Sequence, residues 1–445
     1  MGGRVSSTSR GQTPPSVHFV YRDGELHADG CPLSRVAADY DTPSYVYSAQ
    51  GIDAAYRAID SALAAAPHMV AYAVKANGNL ALLRRLSRAG CGADIVSGGE
   101  LRRALEGGFP PERILFSGVG KTDAELRAAL EAGIRSIHVE SVGELDALEA
   151  LAAEMGTTAA VALRVNPDVD PKTHPYIATG LHDTKFGLEL DVAESLLPRL
   201  VKSEHLSLEG IACHIGSMVL DPDPIGEAVE ITARFAARCI EAGAPVRTLD
   251  AGGGWPILYG DEGRAAQGHE AFGRTIVEAL RRGAPGHELE LVIEPGRSVV
   301  GDHGVLLTRV LYTKEQGDKR FVIVDAAMTE LIRPALYGAF HAVVPVREPA
   351  PDVTLQAADL VGPVCESGDF FAHDRPLPPL KRGDLLAIRG AGAYSATMAS
   401  HYNARPFAPE VLVDGEQAML IRRRQVIEDL WADEIDPERS RLAGF

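Results

Sequence analysis

"MVAYAVKANGN", residues 69–79, decides how the chain is read. Val70, Ala71, Tyr72, Ala73 and Val74 form an unbroken apolar run, Lys75 follows, and Ala76, Asn77 and Gly78 come after it. A short apolar run closed by turn-forming residues predicts a strand buried on both faces, the pattern of parallel sheets. A lysine at the mouth of such a strand sits where burial disfavours its charge, and a neutral amine is a nucleophile. That is what a Schiff base to an aldehyde cofactor requires. An isolated lysine would ordinarily be read as snorkelling to solvent, so the rest of the chain has to decide.

The same texture repeats outward from this stretch. Apolar runs at 69–74, 92–97, 113–117, 136–141, 159–165, 208–215, 248–252 and 289–294 end in Gly, Ser, Asn or charged residues. Alanine- and leucine-rich segments such as 123–132 and 142–154 lie between them with helical spacing. Eight strands with crossover helices over about 240 residues predict an α/β fold of the (β/α)8 TIM type. An open doubly wound sheet would carry a glycine-rich dinucleotide fingerprint after its first strand, and "KANGN" is not one.

Beyond about residue 305 the pattern becomes alternating, as in "RFVIVDAAM" and "DLLAIRG", which predicts an antiparallel β domain. The segment 17–47 is also β-like, so both ends are expected to build one composite domain. The expected divisions are a disordered Gly/Ser/Pro-rich tail at 1–16, an N-terminal part of the β domain at 17–50, a barrel at 51–305 and a C-terminal β domain at 306–445.

Composition narrows the functional classes. The 445 residues carry a net charge of −17. That acidity argues against nucleic acid or an anionic membrane as the main partner. No apolar run approaches the roughly 20 residues a membrane helix needs. A cytoplasmic protein is expected. The cysteines at 31, 91, 213, 239 and 365 are odd in number and lack CxxC spacing. Neither a zinc ribbon nor a disulfide framework is indicated.

In a barrel the chemistry lies at the C-terminal strand ends. Those ends carry Lys75, Asp94, His214 followed by Gly216 and Ser217, the triplet Gly252, Gly253 and Gly254, and "EPGR", Glu294 to Arg297. His214 is read as the only histidine among them, so no metal is expected. Glycine clusters after strands seven and eight stand where barrels bind phosphate through backbone N–H groups. A lysine together with a phosphate cradle points to pyridoxal 5′-phosphate.

These residues also carry a resemblance. "YAVKAN", "HIGS", "GGG", "EPGR" and "CESGD" are similar to the motifs of the barrel-type (fold III) pyridoxal-phosphate decarboxylases, the group of ornithine, arginine and diaminopimelate decarboxylases related to alanine racemase. The stretches 165–188, 331–341, 360–371 and 392–406 resemble the diaminopimelate branch. The likeness covers residues 40–430 or so. It implies a lyase of lysine biosynthesis that converts meso-2,6-diaminopimelate to L-lysine and CO2.

The resemblance also implies roles. Lys75 carries the cofactor and Glu294 pairs with its ring nitrogen. His214 stacks on the ring, and Asp94 lies near the Schiff base. Ser217, Gly252, Gly253, Gly254, Pro295, Gly296, Arg297 and Tyr394 contact the cofactor, chiefly its phosphate. Arg297, Arg333, Tyr337 and Tyr394 meet the substrate, whose distal carboxylate suits the arginine fork, and Glu366 takes its distal ammonium. Cys365 is the acid that returns a proton to the α carbon. Cys365 and Glu366 are expected to enter a neighbouring subunit's site, making an obligate homodimer with shared active sites. Trp255 and Pro256 depart from the family pattern and are expected to alter the loop beside the phosphate. A decarboxylase for another amino acid or a carrier-bound one, and a non-catalytic pyridoxal-phosphate-binding protein, are the competing readings. Arg333 and Glu366 speak against the first, and the β domain with "CESGD" against the second.

Overall fold

The computed structural model describes residues 17–170, 185–262 and 266–435. The tail expected to be disordered at 1–16 lies outside them, as does most of the motif at 165–188. Two compact units are present. One comprises Gly51–Leu258 and Glu262–Asp302; the other comprises residues up to Gln50, Tyr259–Asp261 and His303 onward.

The first unit is a closed barrel. Its eight strands are His68–Ala73, Gly92–Ile95, Ile114–Phe116, Ser136–Val139, Ala159–Asn166, Leu206–Ala212, Thr248–Asp250 and Glu290–Ile293. Each pairs in parallel with the next, and the eighth returns to the first through Leu291 opposite His68 and Ile293 opposite Val70. Most strands stop short of the expected ends. Lys75 lies just past the first strand, in a 3-10 turn Val74–Ala76, and His214 lies two residues past the sixth. The ladders end because backbone groups there turn to neighbouring loops: Ala73 N–H donates to Pro295 O (3.1 Å) and Glu294 N–H to Gly252 O (2.8 Å).

The helices start where the sequence offers caps. The Thr122 hydroxyl accepts from Glu125 N–H, and the Glu125 carboxylate accepts from Thr122 N–H, a reciprocal box that opens helix Asp123–Ala132. Ser97 and Ser141 cap Gly98–Glu106 and Val142–Met155 in the same way through their hydroxyls. In Asp223–Glu241, Ile225, Val229, Thr232 and Ala236 recur at helical spacing and are buried.

The second unit holds a nine-stranded sheet and a small three-stranded one. Strand Ser44–Ser48 lies between Gly304–Gln316, antiparallel to it, and Glu410–Asp414, parallel to it. A second parallel pairing joins Lys319–Val324 to Gln356–Val361. The predominantly antiparallel sheet is therefore mixed. An N-terminal strand that arrives from outside the meander can insert in either direction, and alternation alone does not encode which. Val46, Val305, Leu307, Ala387, Val411 and Val413 share its core. Residues 17–47 are not all β: after the hairpin Phe19–Arg22 and Glu25–Ala28 comes the helix Leu33–Tyr40, whose Leu33, Val36 and Ala37 are buried at helical spacing. Among the described residues no helix is long and apolar enough to cross a membrane.

Candidate active site

The barrel's strand ends bring together an amine and four buried ionisable groups. Asp94 lies opposite Ala73 in the register of strands one and two. Two residues past Ala73, Lys75 reaches back, and its Nζ donates to Asp94 Oδ2 at 2.7 Å. The lysine side chain is 38% exposed while the aspartate is fully buried. The amine thus neither snorkels into bulk water nor disappears into the core. Asp94 Oδ1 finds no hydrogen-bond partner among the described residues. An orphaned buried carboxylate oxygen is costly, and here it stands beside a lysine at the mouth of a barrel.

Beneath lies a second cluster drawn from strands three, four, seven and eight. Ser117 Oγ donates to Glu294 Oε1 (3.1 Å) and lies 3.3 Å from His138 Nδ1. His138 Nε2 is 3.9 Å from Asp250 Oδ2. Asp250 Oδ1 accepts Gly252 N–H at 2.7 Å. Burial holds Glu294 protonated well above the ordinary carboxyl range, and the neighbouring Asp250 and Asp94 charges push the same way. Burial likewise raises Asp250 to about 7 and lowers His138 to about 3. A buried charge repels its like and is disfavoured by a poor dielectric, so the cluster settles toward neutral forms. The reading of His214 as the only histidine at these ends is therefore corrected: His138 is a second. It lies inside the strand segment Ser136–Val139, and only barrel closure brings it beside Glu294. His138, Asp250 and Glu294 offer ligand atoms within 4.8 Å of one another.

His214 is half-buried, and its Nδ1 accepts Gly253 N–H at 3.0 Å. Burial, followed by the Arg164 and Lys75 charges, holds it well below the ordinary imidazole range. The ring is neutral and its proton sits on Nε2. The glycine triplet is demanded by close packing of strand-end loops. A Cβ at Gly253 would stand 2.3 Å from Glu294 O, and one at Gly254, whose φ is +95°, 2.4 Å from Gly216 O. Arg297 is buried, and its Nη2 donates to Ser217 Oγ at 3.2 Å. Pro295 carries the carbonyl that receives Ala73 N–H, and Gly296 precedes the short helix Arg297–Val300. Trp255 is buried, with its ring 5.2 Å from Phe272 and 5.7 Å from His269. It fills space against the helix His269–Gly283.

The second unit holds the other expected residues. Arg333 is buried at the start of helix Arg333–Tyr337, with Tyr337 half-buried at its end. Cys365 is an exposed free thiol, next to exposed Glu366. Their loop is folded around Asp369, whose oxygens accept Met328 N–H (2.6 Å) and Val364 N–H (2.7 Å). Asn403 Oδ1 accepts Cys365 N–H at 2.9 Å. Asp369 and Asn403 carry little signal in the sequence, since a lone acid and a lone amide in irregular segments gain meaning only through their backbone partners. Tyr394 holds a left-handed φ of 55°. A tyrosine costs roughly 1–3 kcal/mol in such a conformation, which persists where surroundings impose it.

A strand-end lysine over a buried carboxyl cluster, in a parallel barrel with an appended β unit, defines the class of barrel pyridoxal-phosphate enzymes. The family profile "Pyridoxal-dependent decarboxylase, pyridoxal binding domain" matches residues 49–301. The chain is 50% identical over 416 residues to the diaminopimelate decarboxylase of Pseudomonas aeruginosa, covering 94% of this chain and 98% of that one. The Helicobacter pylori diaminopimelate decarboxylase complexed with L-lysine superposes with a TM-score of 0.85 at 39% identity, covering 93% of this chain and 100% of that one. The M. jannaschii diaminopimelate decarboxylase in co-complex with L-lysine gives 0.90 at 36% identity, covering 95% and 99%. The chain belongs to the diaminopimelate decarboxylase family.

Proposed function

We propose that this enzyme removes CO2 from meso-2,6-diaminopimelate and releases L-lysine, using pyridoxal 5′-phosphate. One donor set carries the reading. At one barrel end stand a lysine amine, a buried carboxyl, a flat neutral imidazole and a buried arginine joined to a serine hydroxyl. This set matches the chemistry of the cofactor: an amine for its aldehyde, Glu294 for its ring nitrogen, His214 for its ring face, and Ser217, Arg297 and the N–H groups of the glycine loops for its phosphate. When bound, pyridoxal phosphate supplies an electron sink for the pair left on the α carbon as CO2 departs.

The chain's own residues do the rest. Asp94 stands within reach to take a proton from the Lys75 amine. Glu294, held in place by Ser117 and surrounded by buried neutral and acidic groups, retains a proton between itself and whatever base it faces. His214 cannot turn freely, since Gly253 occupies its Nδ1. Arg333 and Tyr337 receive the substrate's distal carboxylate, and Glu366 receives its distal ammonium. Cys365, exposed and free, returns the proton to the α carbon.

The enzyme works as a homodimer in which Cys365 and Glu366 serve the neighbouring subunit's site. Five free cysteines, four of them buried, suit a reducing compartment, and the cytoplasm is the proposed location. The test is CO2 release and L-lysine formation from meso-diaminopimelate against a panel of amino acids. Borohydride reduction of the holoenzyme followed by peptide mass spectrometry should find the cofactor on Lys75. Turnover of another amino acid with none of meso-diaminopimelate would overturn the assignment.

A further inference from the structure

Arg333 is buried at 6% exposure, and two neutral rings hold it. Its Nη1 lies 2.8 Å from His341 Nε2. Its guanidinium carbon stands 4.6 Å from the centroid of the Tyr259 ring. The two rings meet each other edge to face, with centroids 5.0 Å apart. Guanidinium has donors only, so Nε2 of His341 must be the acceptor and the imidazole must be neutral. Its other nitrogen, Nδ1, then carries the hydrogen and donates to Arg389 O at 2.8 Å. Both nitrogens of a fully buried ring are thereby committed.

The chain around the ring is equally constrained. Helix Arg333–Tyr337 ends on Gly338, at φ 61°, and the backbone turns back so that Ala339 N–H donates to Arg333 O (3.3 Å). Arg375 Nη1 donates to the carbonyl of His341 (3.0 Å), and its guanidinium lies 3.9 Å from the Phe340 ring centroid. Ala342 O accepts Arg389 N–H, and the strand pairing Val343–Ile388 begins directly after. Tyr259 is seated against Gly390, where an added Cβ would stand 2.8 Å from the tyrosine ring.

We propose that His341 and Tyr259 are positioning residues that aim Arg333 at the distal carboxylate of the substrate and so set selectivity for an amino acid bearing that group. The inference rests on the reading of Arg333 given above. The physical reason is geometric. The His341 lone pair fixes Nη1 in one direction and the Tyr259 ring faces the guanidinium plane, so the two together restrict the directions in which the remaining N–H donors of the fork can point.

The experiment measures binding to the holoenzyme, by calorimetry and by the cofactor's absorbance, of L-lysine and of 1,5-diaminopentane. The two ligands differ by one carboxylate. Arg333→Met should weaken L-lysine by on the order of 100-fold and leave the diamine within twofold. His341→Leu, which fills the space without an acceptor, should weaken L-lysine about 10-fold with the diamine unchanged. His341→Gln, which restores an acceptor, should recover most of that loss. Tyr259→Leu should cost L-lysine roughly threefold or more. If His341→Leu and Tyr259→Leu weaken both ligands equally, or neither, the positioning role is overturned. Should His341→Leu fail to fold, the Tyr259 variant alone decides between these outcomes. If Arg333→Met itself fails to separate the two ligands, the reading of Arg333 falls and the positioning role with it, a result distinct from failure of the His341 arm alone.

Discussion

The barrel site and the C-terminal loops solve opposite problems. At the barrel end, Asp94, Asp250, Glu294 and His138 are all buried, and the loss of water raises Asp250 and Glu294 and lowers His138. In the second unit, Cys365 and Glu366 stand exposed on a loop whose geometry is fixed by backbone bonds to Asp369 and Asn403. The first arrangement tunes charge; the second fixes the position of a thiol and a carboxylate that remain open to solvent. A cofactor retained through every turnover is served by a buried environment, while Cys365 and Glu366, proposed to meet a substrate entering and leaving, stand in an accessible one.

The sharpest test of that contrast is Lys75→Ala. It removes the amine paired to Asp94, and kcat should fall on the order of 10⁴-fold or more, the scale of losing a covalent catalyst. Borohydride should then leave no stable adduct at any residue. A variant that still forms an adduct at another lysine would break the assignment of the strand end.

Glu294→Gln comes next. Its side chain keeps the volume and the bond from Ser117 but cannot exchange a proton. The cofactor should remain bound while kcat falls about 10²–10³-fold, the range for removing a preorganised electrostatic partner. Near-normal turnover would show that the buried cluster has no part in the chemistry.

How far these features are legible in the sequence depends on whether they are local. Lys75, Glu294 and the glycine triplet sit at the ends of apolar runs, and the run itself marks them. The eight-strand period announced the barrel. The helix Leu33–Tyr40 is hidden inside a β-like segment because eight residues with three buried apolar positions make a weak periodic signal. His138, Ser117 and Asp250 are single polar residues in or beside strands of three or four residues, on different strands. Only closure of the barrel brings them within reach of Glu294. His341 follows a glycine turn, and its meaning depends on Arg389, 48 residues later. Pairings of that kind are carried by topology rather than by spacing.

Cys365 and Glu366 are proposed to serve the neighbouring subunit's site, and mixing inactive chains tests this. Lys75→Ala and Cys365→Ala homodimers should each be nearly inactive. After subunit exchange, half of the dimers are mixed, and each mixed dimer has one intact site and one doubly damaged site. About a quarter of wild-type activity should return, by the symmetry of an isologous pair. With exchange verified by mass, no recovery would confine both residues to one chain's site and overturn the shared-site proposal.

The smallest expected effect separates Asp250 from His138 in the buried cluster, measured as denaturant stability of cofactor-free protein between pH 4 and 8. Asp250, raised from 3.8 to about 7, binds a proton in the folded state that the unfolded chain releases. Its contribution is present at low pH and is lost as pH rises through about 7. His138, lowered from 6.5 to about 3, works the other way. The unfolded chain binds the proton first, so its contribution is present above 6.5 and is lost as pH falls. Between roughly pH 4 and 6.5 the two slopes oppose each other, each up to about 1.4 kcal/mol per pH unit for a full proton. Glu294, also held protonated above its ordinary range, adds a falling slope of its own, so both variants are made on Glu294→Gln; there Asp250→Asn should leave the histidine's slope, with stability rising with pH across that window. His138→Asn should leave the aspartate's slope, with stability falling. Slopes of the same sign in the two variants would show that the folded protein does not hold the imidazole neutral beside a protonated carboxyl, and the contrast between a charge-tuning barrel and a position-fixing loop would lose its electrostatic half.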